Sequence, residues 1–323
     1  MAADRDNRPG LKHVTAPAVQ AGDEAVLLAE FDPPFLVSEP EGVFSTLIVS
    51  SPHSGDVYPD SFIEHSRLDA LTLRRSEDAY VNQLFSGAMA AAAPLLQARF
   101  PRAYLDVNRE PYELDPRMFD GRLPPHANTR SIRVAGGLGT IARIVSESKE
   151  IYKGRLPVSE IQLRVKGLYE PYHKALRGLI ERAWNMHGLA VLLDCHSMPS
   201  QPHTGMMFRS GEPERADIIL GDRYGASCDP RFVALLESAF VRRGFAVARN
   251  KPYAGGFITE TYGSPALGAH AIQIEVNRAL YMNEATFEKK PGFNDLRDVL
   301  TGVMMELAAY IDSDYHVLGA AAE

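Results

Sequence analysis

The stretch GLAVLLDCHSMPS, residues 188–200, decides the fold: an apolar run through Ala190, Val191, Leu192 and Leu193 ends abruptly in Asp194, Cys195, His196 and Ser197. Such a run reads as a buried strand, and α/β proteins place their chemistry where strands of this kind end at a sheet edge. Alternation along the strand puts Asp194 and His196 on one side and Cys195 on the other, so Cys195 is not expected to share the histidine's role. TLIVSSPHSG, residues 46–55, repeats the design and delivers His53. Two histidines at strand ends suggest a metal site.

The bulk composition narrows the function classes. With 45% hydrophobic and 23% charged residues, a chain of 323 residues is expected to be globular, with a core large enough for one or two domains. A net charge of -7 and no run of Lys or Arg argue against nucleic acid and anionic membranes as partners. No stretch approaches the roughly 18 consecutive apolar residues of a membrane span, and the first residues lack the apolar centre of a secretory signal. Two cysteines, Cys195 and Cys228, give no disulfide framework and fit a reducing compartment, so the chain is expected in the cytosol.

Outward from the opening stretch, residues 1–25 are polar and aperiodic and are expected to form a mobile tail, with a single domain over 26–323. Residues 44–50 read as a strand leading to His53. Ser76 is placed to cap a helix carrying Tyr80, Val81, Leu84, Phe85, Ala88 and Met89, with Asp78 in its first turn. Residues 99–107 read as another strand, ending at Asn108, Arg109 and Glu110. The Gly- and Pro-rich region 111–156 is too long for an ordinary connection and is expected to wall or cover a site. Ser159 and Gln162 match a capping box ahead of a long amphipathic helix that Pro171 should bend and Gly188 should stop. A helix over 230–243, a short strand over 244–249, a glycine-rich loop over 250–265, a strand over 270–276 and a final helix over 296–311 complete the reading. Helices alternating with buried strands predict a single α/β domain with a central mixed, mostly parallel sheet flanked by helices.

Four strand ends thus carry His53, Asn108 with Arg109, His196 and Glu275. If the strands are parallel in one sheet, these side chains converge in one crevice. A hydrolytic zinc site takes about three protein ligands, commonly two His and a carboxylate, and keeps one position open for water. A nearby carboxylate to shuttle the proton and a cation to hold the oxyanion complete the machinery, and Glu275 and an arginine are available. For the acidic ligand the residues leave two choices. Asp78 would also suit a helix dipole, and Asp56, in His53-x-x-Asp56, would also suit a turn before Tyr58.

These pieces resemble the N-formylglutamate amidohydrolase family. The resemblance runs in order through SPHSGDVYP (51–59), EDAYVNQLF (77–85), YLDVNRE (104–110), IYKGRLP (151–157), EPYHKAL (170–176), LLDCHSMP (192–199), GDRYGASCDP (221–230), YAGGFITETYGSP (253–265) and HAIQIEVNRALYM (270–282). It implies a carboxypeptidase-like α/β fold and one zinc ion held by His53, Asp78 and His196, with Asp56 as the second choice for the acidic ligand. It further implies Glu275 as general base, and Asn108 and Arg109 as the groups that bind the carboxylate of a small N-acyl amino acid. The expected reaction is hydrolysis of the N-formyl or a related N-acyl amide of an acidic amino acid such as N-formylglutamate by a zinc-bound water. One position departs from the family: Glu260 in GGFITETYG stands where a basic residue is usual, which weakens recognition of a side-chain carboxylate and leaves the acyl amino acid open; Arg133, Arg143 and Arg209 are candidates to replace that cation, although solvation at the surface is the commoner fate of such residues. The rival readings are a metallocarboxypeptidase or another N-acyl amino acid deacylase of the same fold, a non-catalytic metal-binding relative, and a Cys-His hydrolase using Cys195.

Overall fold

The computed structural model describes residues 29, 31–42, 44–145, 148–200 and 216–315. The proposed tail 1–25 and Arg209 lie outside the described residues. A seven-stranded sheet is built from β1 (Phe35–Ser38), β2 (Leu47–Ser51), β3 (Leu95–Ala98), β4 (Ala190–Met198), β5 (Ile218–Gly221), β6 (Val247–Arg249) and β7 (Ala269–Asn277). Their spatial order is β1-β3-β2-β4-β7-β5-β6. The central four, β3, β2, β4 and β7, are mutually parallel, while β1 runs against β3, and β5, with β6 parallel to it, runs against β7. The α/β class and the mixed, mostly parallel sheet are as the sequence predicts.

All nine residues of β4 are buried, as expected for a strand covered on both faces. Alternation assigns them: Ala190 and Leu192 join Ile48, Leu96 and Ala271 under helix α1 (Glu170–His187), which contributes Tyr172, Leu176, Leu179 and Ala183. Val191, Leu193 and Cys195 face the opposite layer, formed by helices α2 (Pro230–Val241) and α4 (Phe293–Tyr310) through Phe232, Leu236, Leu300 and Val303. Each such fully buried aliphatic or Phe side chain contributes about 1.5–3 kcal/mol. Among the described residues no helix is long and apolar enough to cross a membrane.

Several local expectations are corrected. The strand expected over 99–107 is instead the short β3 just before it, and 99–107 is irregular. Phe100, Ala103, Tyr104, Leu105 and Val107 are buried, which imitates a strand's composition, but Pro101 cannot donate to a ladder and its carbonyl takes Tyr104 and Leu105 N–H in a turn. The helix expected from Ser76 begins only at Val81: its first turn is Val81–Leu84, preceded by Tyr80 at φ 65° and followed by a 3-10 segment, Ser86–Ala91. Ser76 does not cap it; its hydroxyl donates back to Leu73 O. Asp78 therefore precedes the helix and does not sit in its first turn. Ser159 likewise starts a helix without capping it, since Ser159–Arg164 has no side-chain cap. The irregularity expected at Pro171 is a wide π turn, Val165–Tyr169, in which Glu170 N–H reaches Val165 O. Missing its own N–H, Pro171 fits the first turn of α1 that follows. The loop over 250–265 contains a six-residue helix, α3 (Phe257–Tyr262).

Candidate active site

The carboxyl ends of β2, β4 and β7 bring three predicted site residues together. His53 stands two residues beyond β2, His196 lies near the end of β4, and Glu275 is the residue of β7 directly opposite His196 in the parallel ladder. Equal register puts both side chains on the same face of the sheet, the face that also carries Asp194 and, opposite it, Gln273. Cys195 points the other way into the apolar layer, where burial pushes its thiol well up.

His53, Asp78 and His196 form a fully buried group whose ligand atoms lie within 4.8 Å of one another. The two imidazoles meet through their Nδ1 atoms, 3.1 Å apart, and Asp78 Oδ2 is 2.9 Å from His196 Nδ1 and 3.4 Å from His53 Nδ1. Both Nε2 atoms are engaged on carboxylates: His53 with Asp106 Oδ1 at 2.7 Å and His196 with Asp194 Oδ2 at 3.0 Å. A carboxylate at each Nε2 favours a proton there and leaves both Nδ1 atoms and Asp78 Oδ2 converging on one small space. Two imidazoles and one carboxylate are a donor set that suits a zinc-like ion, with the carboxylates on Nε2 orienting both rings. This buried group could hold a metal ion. Asp56, the alternative acidic ligand, is exposed and lies outside the group.

The electrostatics follow from burial and pairing. Burial disfavours a charged Asp78, yet bonds to His196 and His53 hold its pKa well below the usual carboxylate range. Burial likewise opposes a charged His196, but Asp194 and Asp78 outweigh it and raise its pKa well above the usual imidazole value. Asp106 is held low against burial by His53, Arg109 and Arg102. Glu275 behaves in the opposite way: burial, against the lowering effect of His196 and with Asp78 adding to the rise, pushes it up to about 7. Its Oε1 accepts from Gln273 Nε2 at 2.7 Å.

The remaining predicted residues sit on the wall beside this group. Asn108 donates from Nδ2 toward Asp194 Oδ2 at 3.3 Å, lies 3.2 Å from His196 Nε2, and accepts Ile258 N–H on Oδ1 at 2.8 Å. Both ends of its amide are thus used inside the protein. Arg109 donates from Nε to Leu138 O and from Nη1 to Asn108 O, with Nη2 3.8 Å from Asp106 Oδ2. The same Asp106 oxygen takes Arg102 Nη2 at 2.8 Å. Two guanidiniums sharing one carboxylate leave this wall cationic. Region 111–156 backs it, as Leu138 O holds Arg109 and Thr140 O takes Asp106 N–H.

Two glycines show how tightly the pieces are set. A Cβ on Gly55, in the His53 loop, would fall 2.1 Å from Phe100 O, and one on Gly256 would fall 2.4 Å from Asn108 Oδ1. The PHSG and GGF pieces therefore need glycine because backbone and amide approach them at contact distance.

Sequence reasoning gave Asp106, Arg102 and Arg278 no part. Asp106 and Arg278 both lie within quoted motif pieces, as the acid and the arginine of DVNR and EVNR, so a signal was present. Glu260 is exposed and pairs with Arg223 Nη1 at 3.3 Å. Arg133 stands 3.7 Å from Glu113, and Arg143 pairs with Asp115 and Glu150.

A family model described as N-formylglutamate amidohydrolase matches residues 45–282. An N-formylglutamate deformylase of Pseudomonas putida is 30% identical over 245 residues, covering 74% of this chain and 82% of that protein. One from Pseudomonas aeruginosa is 28% identical over 269 residues, covering 81% and 90%. The crystal structure of N-formylglutamate amidohydrolase from Ralstonia eutropha JMP134 matches with a TM-score of 0.81 and 36% identity, over 86% of this chain and 98% of that one. The family-model match over most of the chain and the 30% identical relative make this chain a member of the N-formylglutamate amidohydrolase family.

Proposed function

We propose that this protein is a zinc-dependent amidohydrolase that removes the formyl group, or a related acyl group, from an N-acylated acidic amino acid such as N-formylglutamate. The observation that carries the reading is the convergence of His53 Nδ1, His196 Nδ1 and Asp78 Oδ2, with Glu275 in register beside His196. The deformylase names of the relatives supply the substrate class. His53, Asp78 and His196 would hold the ion. Bound there, zinc supplies Lewis acidity, polarising a carbonyl oxygen and bringing the pKa of coordinated water from roughly 15.7 to about 7.

Glu275 is the general base. A carboxylate raised to about 7 is basic enough to take a proton from the attacking water and acidic enough to pass it to the leaving nitrogen. Water and the amide thereby become formate and the free amino group. Arg109, joined to Arg102 through Asp106, orients the substrate's carboxylate from the cationic wall. Asn108 holds Asp194, the carboxylate on His196, and the start of α3 in place for that encounter.

The test combines metal analysis of the purified protein with release of formate from N-formyl amino acids and of acetate from N-acetyl amino acids. One equivalent of zinc and preferential turnover of an N-formyl acidic amino acid are expected. Zinc-loaded protein that releases neither formate nor acetate from any of them would overturn the reading.

A further inference from the structure

Beneath the His53, Asp78 and His196 group sits a cation to which the mechanism above gives no part. Arg278 is 7% exposed, and burying a guanidinium costs several kcal/mol unless its donors are met. They are met with a particular division. Nη1 donates to Arg75 O at 3.2 Å and Nη2 to Glu77 O at 2.6 Å, which ties the chain just before Asp78 to the end of β7. Nη2 also donates to Asp78 Oδ1 at 3.1 Å, and Nε donates to Ser197 Oγ at 3.1 Å. Ser197, next to His196 on β4, turns its hydroxyl toward the same Asp78 Oδ1 at 3.4 Å.

Asp78 thus has its two oxygens sorted. Oδ1 is held by Arg278 and Ser197, whereas Oδ2 faces His196 and His53. A staple of the backbone alone would need only the carbonyls of Arg75 and Glu77. The additional bonds fix the carboxylate's rotation.

We propose that Arg278, assisted by Ser197, is a positioning residue that locks Asp78 so that it offers Oδ2 alone to a metal ion. The inference rests on the reading of His53, Asp78 and His196 as ligands. A preset carboxylate loses no rotamer freedom when the ion arrives, and a single offered oxygen leaves room for water and substrate. The Arg278 charge by itself acts in the opposite direction, since a cation near the site repels a second one. Orientation and charge can therefore be separated by a variant that keeps the charge and loses the fork.

Arg278→Lys is that variant, because an ammonium cannot reproduce the planar set of bonds. Zinc affinity is measured on the full chain by competition with a chromophoric chelator, together with the melting temperature of the zinc-free protein. Arg278→Lys is expected to bind zinc about 10-fold or more weakly than the parent, the scale on which groups behind metal ligands act. Ser197→Ala, which also takes an acceptor from the buried Arg278 Nε, is expected to show a smaller loss of zinc affinity with a modest fall in zinc-free melting temperature. Parent-like zinc affinity in Arg278→Lys overturns the proposal even if its melting temperature falls, because Arg278 is then only a backbone staple. If Arg278→Lys fails to fold, Ser197→Ala decides, and parent-like affinity there overturns it. A different result separates the underlying reading: if His196→Ala binds zinc as tightly as the parent, the group itself is not the metal site.

Discussion

Asp106-Val107-Asn108-Arg109 and Glu275-Val276-Asn277-Arg278 are almost the same four residues, and both border the site, yet the fold uses them in opposite ways. The first lies in irregular chain beyond β3, where the acid backs His53, the amide holds Asp194 and α3, and the arginine flanks the acid. The second ends β7, where the acid stands in register with His196, the amide caps a 3-10 turn by accepting Ala279 N–H, and the arginine reaches to Asp78. Asp106 has a histidine and two arginines to neutralise it and stays ionised well below its usual range. Glu275 accepts a hydrogen bond from the Gln273 side-chain amide and is dominated by burial, which pushes it up to about 7. An acid becomes a scaffold or a base according to its neighbours.

The sharpest way to break this comparison is to neutralise each acid in turn. Glu275→Gln should retain zinc and lose roughly 10²- to 10⁴-fold in turnover, read as formate release under saturating substrate. The parent's kcat/KM should fall toward low pH, because the base works only when ionised. That acid limb is expected at or below about pH 7, since a cation beside Glu275 favours its charged form, and it should vanish in Glu275→Gln. Asp106→Asn should act on the metal and lower zinc affinity about 10- to 100-fold in a chelator competition. Parent-like affinity there would remove the scaffold role.

The amides offer smaller effects. Gly256→Ala drives a methyl into Asn108 and should cost about 1–3 kcal/mol in denaturant unfolding, with turnover falling as well because Asn108 also touches His196. Asn277→Ala should cost only about 1 kcal/mol, the value of a lost cap, and leave turnover unchanged. Equal effects of Asn108→Ala and Asn277→Ala on turnover would erase the difference between the two tetrapeptides.

Much of this was readable in the chain. The buried strand β4, the opposed faces of His196 and Cys195, and the meeting of His53 with His196 follow from apolar runs and period-two alternation, which are local and survive in a sequence. The irregular 99–107 was misread as a strand because a buried loop and a buried strand need the same apolar residues, and only Pro101 hinted otherwise. The helix expected at Ser76 failed for a related reason. Propensity favours helix there, but Asp78 N–H is taken by His53 O and the carbonyls of Arg75 and Glu77 by Arg278, bonds that come from distant parts of the chain.

By itself, then, the sequence determined the α/β class, the strand that carries His196, the family and the set of residues from which a site could be made. Tertiary structure alone decided how they are placed: that Asp78 and not Asp56 joins the histidines, that Asn108 spends its amide on the protein, and that neighbours hold the Asp106 pKa down while burial pushes that of Glu275 up. The physical reason is that burial and neighbouring charge set what a carboxylate does, and both are properties of what surrounds a residue in space, which adjacent letters do not encode.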